Sequence, residues 1–306
     1  MLLSSILIIL KIMKRSFFII IIVAVFIAII VFLAGSSNQQ GKAGKLKVAA
    51  TIFPLYDIVR NVAGDRAEVK LIAPPGATPH FLDFSSKQLI DFQGVKIIFA
   101  IGEGLDDWVT QVKEAITGAE VVGVDGGIKL REFEDGSVDP HYWLNFGNAR
   151  IMTDNIVRAL YQIDPENKEN YLANGESYKA ALTTREQELK EMFDSTAKQP
   201  IITFHDAMFY FAEDFGLKIV GSFELAAGQE PTPRYLAELK KKVDEYKVKR
   251  IFIEPQMSSQ VLAGFLKDNN LSVAELDEVG GISPRETYLK LMEFNASSIL
   301  KTFKEK

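Results

Sequence analysis

The chain contains no cysteine in 306 residues, so disulfides and thiolate metal sites are both excluded. Any metal ion would have to be held by imidazole, carboxylate, carbonyl or water. Histidine is scarce too, with three copies, and there is no basic surplus: 35 Lys and Arg face 40 Asp and Glu, a formal charge of −5. No basic stripe interrupts that balance, which argues against a nucleic-acid surface and suits, weakly, a divalent cation. What is abundant is ordinary globular material, 47% hydrophobic and 25% charged residues. That composition excludes disorder, and the length suffices for one large domain or two lobes with cores of their own.

The N-terminus reads as a targeting segment. Lys14 and Arg15 precede Phe17 to Leu33, a run of Phe, Ile, Val, Ala and Leu alone, and the polar stretch "SSNQQGKAGK" comes next. The run is at the short limit for spanning a bilayer, so a cleaved signal and a retained anchor both stay open. The basic flank keeps the N-terminus inside and sends everything after Gly35 outward. Met13-Lys14-Arg15 would itself make a signal start, which marks Met1 to Ile12 as an upstream extension.

From Lys45 onward, short β-rich runs alternate with helical patterns, the signature of parallel α/β units. Eight strands are expected, in "KLKVAATI", "AEVKLIAP", "VKIIFAIG", "AEVVGVD", "QPIITFHD", "KIVGSF", "KRIFIEPQ" and "SVAELD". A long helical segment separates the first four from the last four. Asp164-Pro165 supplies its start, and only Gly175 interrupts the pattern before Pro200. The fold class is therefore α/β: two lobes, each with a mostly parallel sheet flanked by helices, joined by one long connecting helix. The expected divisions are 1–36 signal or anchor, 37–45 linker, 46–164 N-terminal lobe, 165–197 connecting helix and 198–306 C-terminal lobe.

His80, His141 and His205 each fall where a strand or turn has ended, the edge at which open α/β sheets bind ligands. Local sequence cannot bring them together; only the fold can, and scattered surface or capping roles are the alternative. Asp277 in "AELDEVGG" also follows an apolar run, though alone it is an ordinary turn aspartate. Three neutral imidazoles and one carboxylate would make a closed tetrahedral set suited to zinc.

Nearly the whole of the chain after Leu46 carries a resemblance, in "TIFPLYDIVRNVAGD", "PPGATPHFLDFS", "IGEGLDDW", "DPHYWLN", "FHDAMFYFAEDFGL", "EPTPRYLAEL", "IFIEPQMSSQ" and "LDEVGG". It resembles the metal-binding lipoproteins of high-affinity zinc and manganese ABC importers, the cluster A-I, zinc-uptake type of solute-binding protein. The resemblance implies metal ligands at His80, His141, His205 and Asp277, and a metal between two lobes joined by a rigid helix. It also implies an ABC permease with its ATPase subunit as partners. A histidine at the His205 position resembles the zinc-type members, so Zn²⁺ is the expected cargo and Mn²⁺ the second choice, with Fe²⁺ also open. A monomer without enzymatic activity is expected.

The chain departs from that family in three places. The stretch "DGGIKLREFEDGSVDP" before His141 is short and without His, which counts against a metal-collecting loop. The family's "WLDP" reads "WLNF" at Trp143 to Phe146, a change expected to loosen the turn. Ser36 stands after Leu33-Ala34-Gly35, where a lipoprotein carries its lipidated cysteine. An uncleaved Phe17 to Leu33 helix is then the expected anchor, at the outer face of the cytoplasmic membrane, with cleavage and release into a periplasm as the alternative. Two rivals of another class are a three-His zinc hydrolase using Asp277 as base and a metal-stabilised adhesin. No HExxH or nucleophile elbow supports the first. Asp206 is expected to cap a helix or be solvated, and Glu103, Glu230 and Glu254 to be surface groups or supports of the ligands.

Overall fold

Eight short strands appear where apolar runs meet turn residues, and all of them pair in parallel. The computed structural model describes residues 45–133, 136–224, 228, 230–257 and 260–304. The apolar run Phe17 to Leu33 and Ser36 lie outside them. Among the described residues no helix is long and apolar enough to cross a membrane.

The first half runs β1 (Leu46–Ala50), α1 (Phe53–Ala63), β2 (Ala67–Leu71), α2 (Ser86–Ile90), β3 (Ile97–Ala100), α3 (Val109–Ala115) and β4 (Glu120–Gly123). The second runs β5 (Ile201–Thr203), α6 (Phe209–Phe215), β6 (Ile219–Ser222), α7 (Pro233–Tyr246), β7 (Arg250–Ile253), α8 (Ala263–Asn269), β8 (Ser272–Glu275) and α9 (Tyr288–Lys304). Between them lie α4 (Phe146–Ile163) and α5 (Lys168–Asp194). The central strands read as unbroken apolar runs because helices cover both faces: every residue of β3 and of β5 is buried. The sheet orders are β2-β1-β3-β4 and β6-β5-β7-β8, the same order repeated. In each, the chain crosses to one side of the first strand and then to the other, leaving a crevice at the carboxyl ends of the strands.

The expected connecting helix is present, with a short 3-10 turn at Pro165–Asn167 followed by the 27 residues of α5, roughly 40 Å of helix. Its buried residues, Tyr171, Gly175, Tyr178, Leu182, Glu186, Leu189 and Phe193, recur at three- and four-residue steps and form one seam. Gly175, the apparent flaw in the pattern, packs against Val157 and Thr153 of α4. A Cβ there would sit 2.6 Å from Val157 Cγ2, nearer than two carbons approach.

One large core cluster runs through residues of both halves, uniting Val48 and Phe99 of the first sheet with α1, α4, α5, α6 and α9. Smaller clusters cover the outer faces of the two sheets, around Ile98 and Val112 and around Ile202 and Ile251. The shared core includes the rings of Phe193, Phe215, Phe146 and Tyr288, with Phe193 stacked on Phe215 at 4.7 Å. Each such side chain contributes about 1.5 to 3 kcal/mol when fully buried, so swinging one half away from the other is expensive.

Candidate metal centre

His80 lies on the loop after β2, which holds Pro74, Pro75, Gly76 and Pro79. Gly76 takes φ +75, a left-handed turn, and the Trp108 indole N–H donates to the Pro79 carbonyl at 2.9 Å, fixing the loop one residue before the imidazole. His141 follows a buried aspartate. Asp139 Oδ1 accepts the His141 backbone N–H at 3.0 Å and lies 2.8 Å from His141 Nδ1, which turns Nε2 inward. His205 lies two residues past β5. Because Thr203 pairs with Phe252, continuing each strand by two residues brings Glu254 beside it, and Glu254 Oε1 is 2.8 Å from His205 Nδ1.

The three Nε2 atoms thus converge. His141 Nε2 is 3.3 Å from that of His80 and 3.5 Å from that of His205. The fourth group is Glu278, whose Oε2 lies 3.2 Å from His205 Nε2 and 3.5 Å from His141 Nε2. One ligand atom from each of these four residues lies within 4.8 Å of the others, and His80 alone is partly exposed.

Asp277, the expected fourth ligand, is not in this group. Its Oδ1 accepts the Val279 and Gly280 backbone N–H groups at 2.9 and 3.1 Å, and its Oδ2 is 2.9 Å from Arg285 Nε. Its backbone exchanges two hydrogen bonds with the Asn295 side chain. A carboxylate so occupied builds the turn that aims its neighbour, and Glu278 occupies the centre. The Gly280-Gly281 pair, both at positive φ, was the available signal, since Asp ahead of a Gly pair is a turn acceptor.

Burial and the close approach of Glu278 to the imidazoles shift several of these groups. Burial pulls His80 down to about 4, with Glu278 opposing and the other two imidazoles reinforcing, so it presents a lone pair at neutral pH. Burial also works against charge on His205, but Glu278 and Glu254 outweigh it and raise its pKa well above the ordinary imidazole value. Burial pushes Glu278 upward; His205, His141 and His80 more than offset this and hold it below the usual carboxylate range. Glu278 Oε2 is buried, with imidazole nitrogens beside it at 3.2 and 3.5 Å. Four donor atoms on a tetrahedron with bonds of about 2.05 Å would be roughly 3.3 Å apart, matching the short distances here.

Several supporting groups went unread in the sequence. The Trp143 indole N–H donates to the Glu278 carbonyl at 2.8 Å, and the Tyr288 hydroxyl to the Trp143 carbonyl at 2.7 Å, tying the His141 segment to the second half. The "WLNF" turn is not loosened. Asn145 caps α4 by accepting from the Asn148 N–H at 2.9 Å, and Asp214 of α6 accepts from the Phe146 N–H and the Asn145 amide at 2.7 and 2.6 Å. Glu254 is buried against His205, whereas Glu103 and Glu230 are exposed. Asp206 neither caps nor floats in solvent; it pairs with Arg131 at 3.0 Å.

Two parallel sheets, with three imidazoles and a carboxylate converging from the loops that follow their strands, present a donor set of the kind that suits a metal ion. The chain belongs to the family described as zinc-uptake complex component A, periplasmic, which matches residues 48–302. It is 28% identical over 298 residues to the high-affinity zinc uptake system protein ZnuA of Bacillus subtilis (strain 168), covering 88% of this chain and 92% of that one. It is equally 28% identical, over 286 residues and the same shares, to the iron ABC transporter substrate-binding lipoprotein MtsA of Streptococcus pyogenes serotype M1. Among solved structures, a manganese-bound variant of a periplasmic metal binding protein from candidatus liberibacter asiaticus superposes with a TM-score of 0.76 at 25% identity, covering 85% of this chain and 100% of the other. The chain is thus a substrate-binding component of a metal ABC importer, and the enzyme reading is set aside.

Proposed function

We propose that this chain captures one Zn²⁺ from outside the cell on His80, His141, His205 and Glu278 and hands it to an ABC permease driven by its ATPase subunit. The observation that carries the reading is the convergence of three Nε2 atoms on a buried carboxylate oxygen. Three imidazoles favour a borderline-soft ion over the harder Mn²⁺, which prefers more oxygen. Manganese is the second reading, supported by the manganese-bound neighbour and by the hard carboxylate of Glu278. With four protein ligands the set is closed, leaving no place for a reacting water, and Asp277 is committed to Arg285 rather than available as a base.

The chain works as a monomer with lobes at 46–164 and 198–306 about the 165–197 connecting segment. It is held at the outer face of the cytoplasmic membrane by Phe17 to Leu33. Since the two halves share a core, loading and release are local loop events rather than wide hinge motion. The test is zinc and manganese titration of residues 45–306 beside a His205→Ala variant. One tightly bound zinc per chain, lost in the variant, supports the reading; manganese bound in preference to zinc would overturn the choice of metal, and no stoichiometric metal would overturn the site.

A further inference from the structure

We propose that Arg131 and Asp206 form a clasp across the two halves that sets how fast the metal leaves, an inference resting on the metal-capture reading. Arg131 stands in the turn before His141, where Glu132 and Val138 form an isolated antiparallel bridge. Its guanidinium divides between two carboxylates. Nη1 donates to Asp139 Oδ2 at 3.0 Å, and the other oxygen of Asp139 holds His141. Nη2 donates to Asp206 Oδ2 at 3.0 Å, and Asp206 is bonded in sequence to His205.

One planar fork therefore ties the support of a first-half ligand to the neighbour of a second-half ligand. Its position is fixed from three further sides. The guanidinium carbon lies 4.1 Å from the Phe209 ring centre and 5.1 Å from that of Phe133, and the Arg131 backbone N–H donates to the Tyr210 hydroxyl at 2.7 Å. That hydroxyl in turn donates to the Asp139 carbonyl at 3.3 Å. Such a set of contacts suits Arg and not Lys, whose single ammonium cannot serve two carboxylates in this geometry.

The consequence is kinetic. An ion held by four ligands leaves only as they let go in turn. His80 is the partly exposed member on a Pro/Gly loop and goes first, while His141 and His205 are each backed by a buried carboxylate. Parting those two requires Arg131 to release Asp139 or Asp206. The clasp holds the supports of His141 and His205 together, so its loss speeds release of the ion. Arg131 and Asp206 are positioning residues here, since neither reaches the ion.

The experiment is a double-mutant cycle in the dissociation rate. Zinc-loaded wild type, Arg131→Gln, Asp206→Asn, the double variant and Arg131→Lys are mixed with excess chelator, and release is monitored by fluorescence of Trp143, whose ring centre is 5.3 Å from that of His141. Each single variant is expected to release zinc about tenfold faster, at the lower end of the 10- to 100-fold span for groups that support metal ligands. The double variant is expected to be no faster than Arg131→Gln alone, and Arg131→Lys to recover little. Asp206→Asn keeps the Arg131 to Asp139 contact and serves if Arg131→Gln fails to fold. Unchanged release in variants that still bind one zinc per chain would overturn the clasp alone, as would effects that multiply in the double variant. Absence of stoichiometric zinc in the wild type would overturn the metal-capture reading and the clasp with it.

Discussion

Zinc binding should weaken about tenfold as the pH is lowered from 8 to 7, and each ion bound should displace one proton, held by His205 until the ion enters. His80 has been pushed down to about 4, chiefly by burial, and is neutral throughout that range. Glu278 is held ionised by the imidazoles around it and contributes no proton. His205 differs: burial opposes its charge, but the carboxylates of Glu278 and Glu254 raise it well above the ordinary value, so it keeps a proton that an entering cation must displace. With one proton exchanged for one ion, log affinity rises by one per pH unit, about 1.4 kcal/mol. Calorimetric titration in two buffers of different ionisation enthalpy counts the protons, and chelator competition at pH 7.0, 7.5 and 8.0 gives the slope. Three imidazoles with ordinary pKa values would be almost fully deprotonated at pH 8 and give a slope near zero. A flat affinity with no buffer-dependent heat would refute the reasoning. The same shifts fix the sign for metal-free stability. The contribution of His205 is present below about pH 6.5 and is lost as pH rises through its raised folded value; that of Glu278 is present above about pH 4.3 and is lost as pH falls through its lowered one.

Glu278→Gln should cut zinc affinity by about a thousandfold, roughly 4 kcal/mol, while Asp277→Asn should chiefly lower the midpoint of metal-free thermal unfolding, because it leaves Arg285 partly unpaired and costs about 3 kcal/mol. The reverse ranking by titration and by melting would restore Asp277 as a ligand. Gly175→Ala should destabilise the fold by about 1 to 3 kcal/mol through the clash with Val157, and Val157→Ala in the same chain should return part of it in urea unfolding. Asp214 is raised to about 7, mainly by burial, so its ionised form is disfavoured in the fold. Wild type should therefore lose stability relative to Asp214→Asn as pH rises from 4 to 7, by on the order of 4 kcal/mol, read as the difference between the two urea midpoints.

All eight strands, the parallel pairing and the long α5 were legible because each rests on local pattern: apolar runs bounded by turns, and a helical stretch opened by Asp-Pro. The convergence of His80, His141 and His205 was legible only in outline: His205 lies two residues past β5, but His80 and His141 lie on the longer loops after β2 and β4, whose course no local pattern fixes. That Glu278 and not Asp277 stands beside the imidazoles was not legible. Adjacent carboxylates differ in which way the backbone turns them, and that was decided by Arg285 and Asn295, far enough along the chain that no short window contains the whole arrangement. Asp206 failed as a local reading for the same reason: its partner Arg131 lies 75 residues away. Gly175 looked like a defect because its cause, Val157, is on another helix.

X-ray absorption at the zinc edge on the stoichiometric complex of residues 45–306, with Glu278→Gln alongside, reads the ligand set itself. The expected result is a four-coordinate first shell of three imidazole nitrogens and a carboxylate oxygen at about 2.0 to 2.2 Å, one oxygen scatterer altered or lost in the variant. Six light ligands with fewer than three imidazoles, or a shell unchanged by Glu278→Gln, would contradict it.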